Sequence, residues 1–258
     1  MVMQYKKVGL KRLISMLTNK HLAYILYTFI VLIPLLPLMG IVELTSINLL
    51  GSLVMYGFIA TFGIVATFHR YYSHGAFKFK NKVLKIICTF LGSIGMSGTV
   101  LSWAIIHKAH HIHGDTEKDP HEAGRGFLSL LKFNYDVNIN PYSDSVRSLM
   151  KDKIVMWFHK YYLTIIIGWV SLLTLTGGIS LVYYGYIIPA VLTVLTSVIS
   201  VCITHKNNEP QNIWWWSILS CGEGQHKFHH ENVWEYKTDK KWYETDAAGF
   251  VIKHLLKS

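Results

Sequence analysis

The chain has 258 residues, of which 51% are hydrophobic and 16% charged, an oilier balance than an ordinary soluble domain carries. Its formal net charge of +10 would suit nucleic acid, but the lysines and arginines flank apolar runs instead of alternating with aromatics, which argues against a nucleic-acid partner and for an anionic membrane surface. Cys88, Cys202 and Cys221 lie far apart, mostly inside apolar runs, which argues against a disulfide framework or a thiolate zinc cage and for a reducing, cytosol-facing environment.

The first stretch, MVMQYKKVGLKRLISMLTNK, carries Lys6, Lys7, Lys11, Arg12 and Lys20 without a compact apolar core and cleavage site, and reads as a basic cytoplasmic tail. Residues 22–42 and 46–68 form two uncharged runs, each long enough to cross a hydrocarbon core of roughly 30 Å. Glu43, Thr45, Ser46 and Asn48 make the turn of this hairpin, and Pro34 and Pro37 predict a kinked first helix. The apolar run 86–106 is also long enough to span, with Gly92, Gly95 and Gly98 at three-residue spacing. If it crossed, the histidines on either side of it would face opposite compartments, so it is expected to dip in or to lie buried against the bundle.

A second uncharged block, 161–204, is twice the length of one span, with Gly177, Gly178 and Gly185 as turn candidates; spans at 161–181 and 185–204 follow. By the positive-inside rule the basic N-terminus, the lysines at 78–85 and the tail ending at Lys257 are all cytoplasmic. The expected architecture is a single all-α membrane unit over 1–258, multi-pass, with four transmembrane helices in two hairpins and both termini in the cytoplasm. Residues 69–160 and 205–258 form a cytoplasmic helical cap. Trp214, Trp215 and Trp216 read as packing within the cap or, more often for aromatics near a membrane boundary, as interfacial anchors. Arg70, Lys78, Lys80, Lys82 and Lys85 read either as membrane-facing positive charge or as a grip on the phosphates of an acyl carrier.

Histidine placement carries the functional signal. His69 and His74 in FHRYYSH follow the second span; His107, His110 and His111 in HKAHH follow the glycine-bearing run; His205 ends the last span; His226, His229 and His230 sit in HKFHH. All nine lie at or beyond the cytoplasmic end of an apolar run. Spacing of i, i+3, i+4 makes each HxxHH a three-imidazole patch on one helix face. His69 and His74 are five apart, about 140° around an α-helix, so both can face one ion only if the helix ends or bends there. Nine nitrogens exceed what one ion takes and predict two metals. All-nitrogen ligation suits iron, copper, nickel or zinc, and an open cap above a lipid-accommodating bundle favours iron, because attack on an inert C–H bond needs an oxidant no side chain supplies.

Asp115, Glu117, Asp119, Glu122, Glu223 and Glu231 read as carboxylates that orient the ligating rings, or as surface solvation. His113 and His121 lie off the patch and read as outer-sphere, whereas His21, His159 and His254 read as ordinary surface or core residues.

FHRYYSH, HKAHHIHGDTEKDPH with RGF just after it, and CGEGQHKFHH resemble the three histidine boxes of the membrane fatty acid desaturases, in particular the acyl-CoA or delta-9-type branch, from about residue 63 onward. The resemblance implies a two-iron centre held by the nine histidines and an acyl chain, linked to CoA, carrier protein or lipid, threaded between the helices. It implies dioxygen and electrons from an external donor such as a ferredoxin or cytochrome, and a cis double bond as product. It assigns Trp103 and Ser197 to the substrate tunnel. One departure stands out: where the family has an asparagine four residues before the histidine that ends the last span, this chain has Val201. Asn207 and Asn208 are near in sequence. Two other activities use such constellations or such membranes: a hydroxylase or ketolase acting on a lipid, and a metal transporter, although the latter wants ionisable residues within the spans.

Overall fold

The computed structural model describes residues 20–122, 124, 126–131, 143–207 and 209–258; the basic segment 1–19, Arg125 of RGF and Asn208 lie outside them. Helix α1, Lys20–Leu38, contains Pro34 and Pro37. Proline has no N–H, so Pro37 deprives the Ile33 carbonyl, four residues back, of its helical donor. The Tyr183 hydroxyl donates to that carbonyl instead. The chain turns at Gly40 (φ 69°), and Thr45 caps α2, Ser46–Phe58, by accepting from the Asn48 N–H at 3.3 Å. Without a break α2 rewinds into a π-helical stretch, Ile59–Ser73, and the two form one apolar helix of 28 residues.

The run 86–106 is broken. It forms the C-terminal part of α3, Lys82–Ile94, and the start of α4, Val100–His113, separated by a turn in which Met96 and Gly98 have φ of 55° and 86°. At 1.5 Å per residue neither helix reaches across roughly 30 Å. Asn81 and Thr99 cap the two helices, accepting from Leu84 N and Ser102 N. α3 lies backbone to backbone on the π-helical stretch: a Cβ on Gly63 would come within 2.3 Å of the Gly92 nitrogen. α4 is enclosed, with Val100, Leu101, Ala104 and Ile105 fully buried.

After the short α5, Phe127–Leu130, come α6, Ser143–Lys151, and α7, Lys153–Lys160. Asp152 caps α7 through the Ile154 N–H and pairs with Lys85. Helix α8, Tyr162–Val182, a π-helical turn, Tyr183–Ile187, and α9, Ile188–Thr204, make a second apolar stretch of 43 residues. The reversal expected between 181 and 185 occurs earlier, at Gly178, whose φ of 63° with ψ of −160° is open essentially to glycine alone. The chain folds back there: Leu173 Cδ1 lies 3.7 Å from the position a Gly185 Cβ would occupy, whereas twelve residues of straight helix would separate them by about 18 Å. Gly185 itself sits inside the π-helical turn.

Among the described residues the strands are two, of two residues each, β1, His205–Lys206, and β2, Glu209–Pro210, antiparallel with His205 opposite Pro210. Helices α10, Trp216–Leu219, α11, His226–Glu231, and α12, Ala247–Val251 continuing as π-helix through Ile252–Leu256, complete the fold. Trp216 is not an interfacial anchor: it is 5% exposed and donates from Nε1 to Ser200 Oγ at 2.7 Å, while Trp214 and Trp215 stay half-exposed. The large core gathers the π-helical stretch Ile59–Ser73 with α4, α8 and α9; a smaller one packs α12 through Ala248, Val251 and Ile252 onto Val65, Ala66 and Cys88.

Candidate metal centre

The nine histidines converge in two groups, His69, His74, His107, His111 and His229 in one, and His110, His205, His226 and His230 in the other, with the ligand atoms of each group within 4.8 Å of one another. The π-helical winding answers the problem posed by His69 and His74. Its hydrogen bonds run from i to i+5, so residues five apart are about one turn apart and face the same way. The Ser73 hydroxyl follows the same spacing, donating to the Phe68 carbonyl at 2.8 Å.

Each HxxHH divides between the two groups instead of serving one ion. Positions i and i+4 are about 40° apart on an α-helix, while i+3 falls about 60° to the other side of i. α4 therefore sends His107 and His111 to the five-membered group and His110 to the four-membered one. α11 does the reverse, with His226 and His230 in the four-membered group and His229 in the five-membered one. His205, on β1, joins the four.

Within the groups the Nε2 atoms stand 2.8 Å apart for His69–His229 and His74–His107, 3.0 Å for His107–His111 and 3.1 Å for His111–His229. In the other group they are 3.2 Å apart for His110–His230, 3.0 Å for His230–His226 and 2.9 Å for His226–His205. Hydrogen bonding among the rings does not account for this. His69, His110 and His205 direct Nδ1 at Glu223 (2.8 Å), Asp119 (2.9 Å) and Asp115 (2.9 Å), which puts the proton on Nδ1 and leaves a lone pair on Nε2. His107 Nε2 has two nitrogen neighbours, and one proton serves only one of them. A cation relieves this crowding: two nitrogens bound at right angles by bonds of about 2.1 Å lie about 3.0 Å apart. The donor set thus fits two transition-metal ions.

Burial keeps the rings neutral and ready to donate lone pairs. It lowers the pKa of His74, His107, His111, His226 and His229, with neighbouring imidazoles adding to the effect, and brings His230 down to about 3. His205 is lowered by burial and by His110 against the pull of Asp115. Asp119 is fully buried, which opposes its charge, but His110 and the amides of His121 and Asp115 outweigh that and hold its carboxyl at about 2. Those amides donate to Asp119 at 2.8 and 3.0 Å, so this one carboxylate also shapes the loop after α4.

A cavity of about 120 Å³ adjoins both groups. His69, His107, His110 and His226 border it, and its walls continue along the π-helical stretch (Ala60, Ile64, Val65) and α9 (Val194, Val198, Val201). Trp103 lines it too, its ring stacked on His107 with centroids 4.9 Å apart and planes at 18°. Ser197 lines it, but the hydroxyls of Thr193, Thr196 and Ser197 each donate at 2.8 Å to a carbonyl four residues earlier, leaving a wall with few free donors. His121 borders the cavity beside His110, ring centroids 5.5 Å apart. Glu117 and Glu231 are exposed. Asn207 is exposed at the β1–β2 turn and is not among the residues that line the cavity.

Two features escape a reading by motif. Arg70 is no phosphate grip: it is 1% exposed and donates to Asp246 at 2.7 Å and to the carbonyls of Tyr236 and Gly222, with Glu223 3.8 Å away. Lys108 turns its amine to the Ser73 carbonyl, next to His74. The signal for Arg70 was its place beside His69 in the first box; its partner lies 176 residues further along the chain.

Comparison with known proteins points the same way as the histidines. The sn-1 stearoyl-lipid 9-desaturase of Anabaena variabilis is 26% identical over 200 residues, 73% of each chain. The sn-2 palmitoyl-lipid 9-desaturase of Nostoc sp. (strain 36) is 28% identical over 207 residues, 73% of this chain and 71% of the other. Delta-9 acyl-lipid desaturase 2 of Arabidopsis thaliana is 27% identical over 199 residues, 72% of this chain and 64% of its own length, so the match spans less than two thirds of that plant protein. The profile of the fatty acid desaturase family matches residues 44–248, a stretch holding all nine histidines and both long apolar helices, and the chain belongs to that family.

Proposed function

We propose that this protein is a membrane-embedded, two-iron acyl desaturase that introduces a cis double bond into a saturated chain, at the ninth position by analogy with the relatives' names, and on a lipid-linked chain in preference to a CoA ester. The observation that carries this reading is the pair of converging imidazole groups at the head of a cavity with largely apolar walls. Four spans in two hairpins, a single unit over 1–258, a cytoplasmic cap and cytoplasmic termini complete the proposal; the lysine distribution supports them.

His69, His74, His107, His111 and His229 would hold one iron, and His110, His205, His226 and His230 the other. When bound, the iron pair supplies the oxidising power, drawn from dioxygen and from electrons of an external ferredoxin or cytochrome, that removing hydrogens from adjacent methylenes requires. The rest falls to the chain's own groups. Asp115, Asp119 and Glu223 keep the proton on Nδ1 of His205, His110 and His69, so that each Nε2 faces inward as a donor. Trp103 packs flat on His107 and forms the wall against which an acyl chain would lie closest to the nitrogens. The hydroxyls of α9, bonded within their own helix, leave a methyl- and methylene-lined passage that excludes water from the reacting carbons. Val201 adds to that apolar wall without offering a donor.

The test is the fatty acid profile of a host making this chain beside one making His110→Ala. A new monounsaturated acid present only with the wild type, its double bond located by mass spectrometry, is the expected result. Oxygenated acids instead would replace desaturation with hydroxylation, and a profile unchanged although the protein binds iron and a donor is co-expressed would sink the activity.

A further inference from the structure

Resting on the two-iron reading, we propose that the charges around the centre make its two positions unequal, so that when the pair is half oxidised the ferric ion occupies the four-histidine position. Two of the four rings there, His110 and His205, are backed by the buried or half-buried carboxylates Asp119 and Asp115, each within 3.0 Å by both oxygens. In the five-histidine group a single ring, His69, is backed by a carboxylate, and that carboxylate, Glu223, is shared with the Arg70 guanidinium. Arg70 has Asp246 as its second partner, and the amine of Lys108 sits at the Ser73 carbonyl beside His74. The two cations and two carboxylates on that side cancel, whereas the two carboxylates on the other side have no lysine or arginine partner among the described residues.

An ion of higher charge gains more from a negative surrounding, and the rings of both groups are buried or half-buried, which weakens screening of the difference. Ring basicity acts in the same sense. An imidazole that donates Nδ1–H to a carboxylate is the stronger donor, and two of the four rings are of this kind against one of the five.

The experiment is a redox titration of the purified, iron-loaded protein in detergent, read by Mössbauer spectroscopy, with iron content measured in parallel. In the first step one ferrous ion gives one electron to the added one-electron oxidant and becomes ferric; in the second step the other follows. Asp115→Asn keeps a hydrogen-bond acceptor for His205 and suits the left-handed backbone at this position (φ 60°) while removing the charge. It is expected to lower the ferric-to-ferrous ratio of the first step, at fixed potential, by about tenfold and to move the second step less. Lys108→Gln is expected to raise the ratio of the second step by a similar factor and to spare the first. Both variants should retain two irons, which separates a charge effect from simple loss of a ring's support. The proposal fails if each variant shifts both steps equally, if neither moves them, or if the first step follows Lys108. A wild-type protein that binds no iron would overturn the metal-centre reading and this inference together; two irons indifferent to the variants would overturn the inference alone.

Discussion

Arg70 and Asp246 form the most enclosed ion pair near the centre, at 1% and 7% exposure, and two of the guanidinium's contacts, Gly222 and Glu223, belong to the segment that leads into the third histidine box. Removing one partner of such a pair leaves a charge stranded in a dry site, at a cost of about 3–5 kcal/mol. Asp246→Asn is therefore expected to lower the thermal midpoint of the detergent-solubilised protein and to reduce its iron content, since Glu223, which orients His69, shares the Arg70 guanidinium. The pair also sets a direction for pH. Burial by itself would raise the Asp246 carboxyl, but the Arg70 charge and hydrogen bond, with the amides of Thr238 and Gly249, hold it below the ordinary 3.8. A carboxyl depressed in the folded state contributes its full stability above its unfolded value and loses it as pH falls below that value. Wild-type protein should lose stability on acidification below about pH 4, and Asp246→Asn should lack that part of the acid response. A midpoint at neutral pH equal to the wild type's would show that Arg70 finds another partner or water.

Helix pairing sets the frame in which the rings meet, and the closest approach is between the π-helical stretch Ile59–Ser73 and α3. A Cβ at Gly63 would meet backbone atoms of Leu91 and Gly92 at 2.3 to 2.7 Å, and backbone cannot swing aside as a side chain can. Gly63→Ala should separate the two helices and destabilise the protein by about 1–3 kcal/mol or more. Gly51→Ala, earlier in the same long helix, has nothing within 4 Å of its new methyl and is the control, expected to be neutral or slightly stabilising. Equal thermal midpoints for the two variants would mean that α3 is free to shift. Apolar length made the long helices legible in the sequence, whereas the caps at Asn81, Thr99 and Asp152 and the break in the run 86–106 emerge only in the fold. The winding was not legible: a 3.6-residue period puts His69 and His74 on different faces, and they meet because the helix is π-wound up to Ser73 and ends at His74, where the spacing called for an end or a bend. Gly178 illustrates the same limit, since several glycines offered a reversal and packing of Leu173 on Gly185 selects among them.

Over the whole molecule, the nine imidazoles were legible because metal ligation needs particular residue types at fixed spacing; their division into five and four was not, because it depends on how α4 and α11 face each other across the centre. Arg70 with Asp246, and Lys108 with Ser73, were hidden for a similar reason: a salt bridge or a hydrogen bond between distant segments leaves no local pattern. That arrangement predicts how the molecule responds to loss of metal. The candidate ligands come from the end of the long second helix, from α4, from β1 and from α11, so an ion in each group would cross-link segments that are far apart in the chain. Without it, lone pairs on neighbouring Nε2 atoms confront each other at 2.8 to 3.2 Å, and the rings must part, admit water or take up protons in a buried site that opposes charge. Binding of a ligand present at a hundredfold its dissociation constant stabilises the folded state by about 2.7 kcal/mol, and for a chain of this size each kcal/mol moves the midpoint by roughly 2–4 °C. Treatment with an iron chelator is thus expected to lower the thermal midpoint by roughly 5–10 °C per ion removed, and re-addition of ferrous iron to restore it. His110→Ala, which takes a ligand from the four-histidine group alone, should fall between the loaded and the stripped protein. A chelated protein that melts where the loaded one does would mean that the segments around the histidines hold their shape without metal, and that the crowding of nitrogens is relieved by water at no expense to the fold.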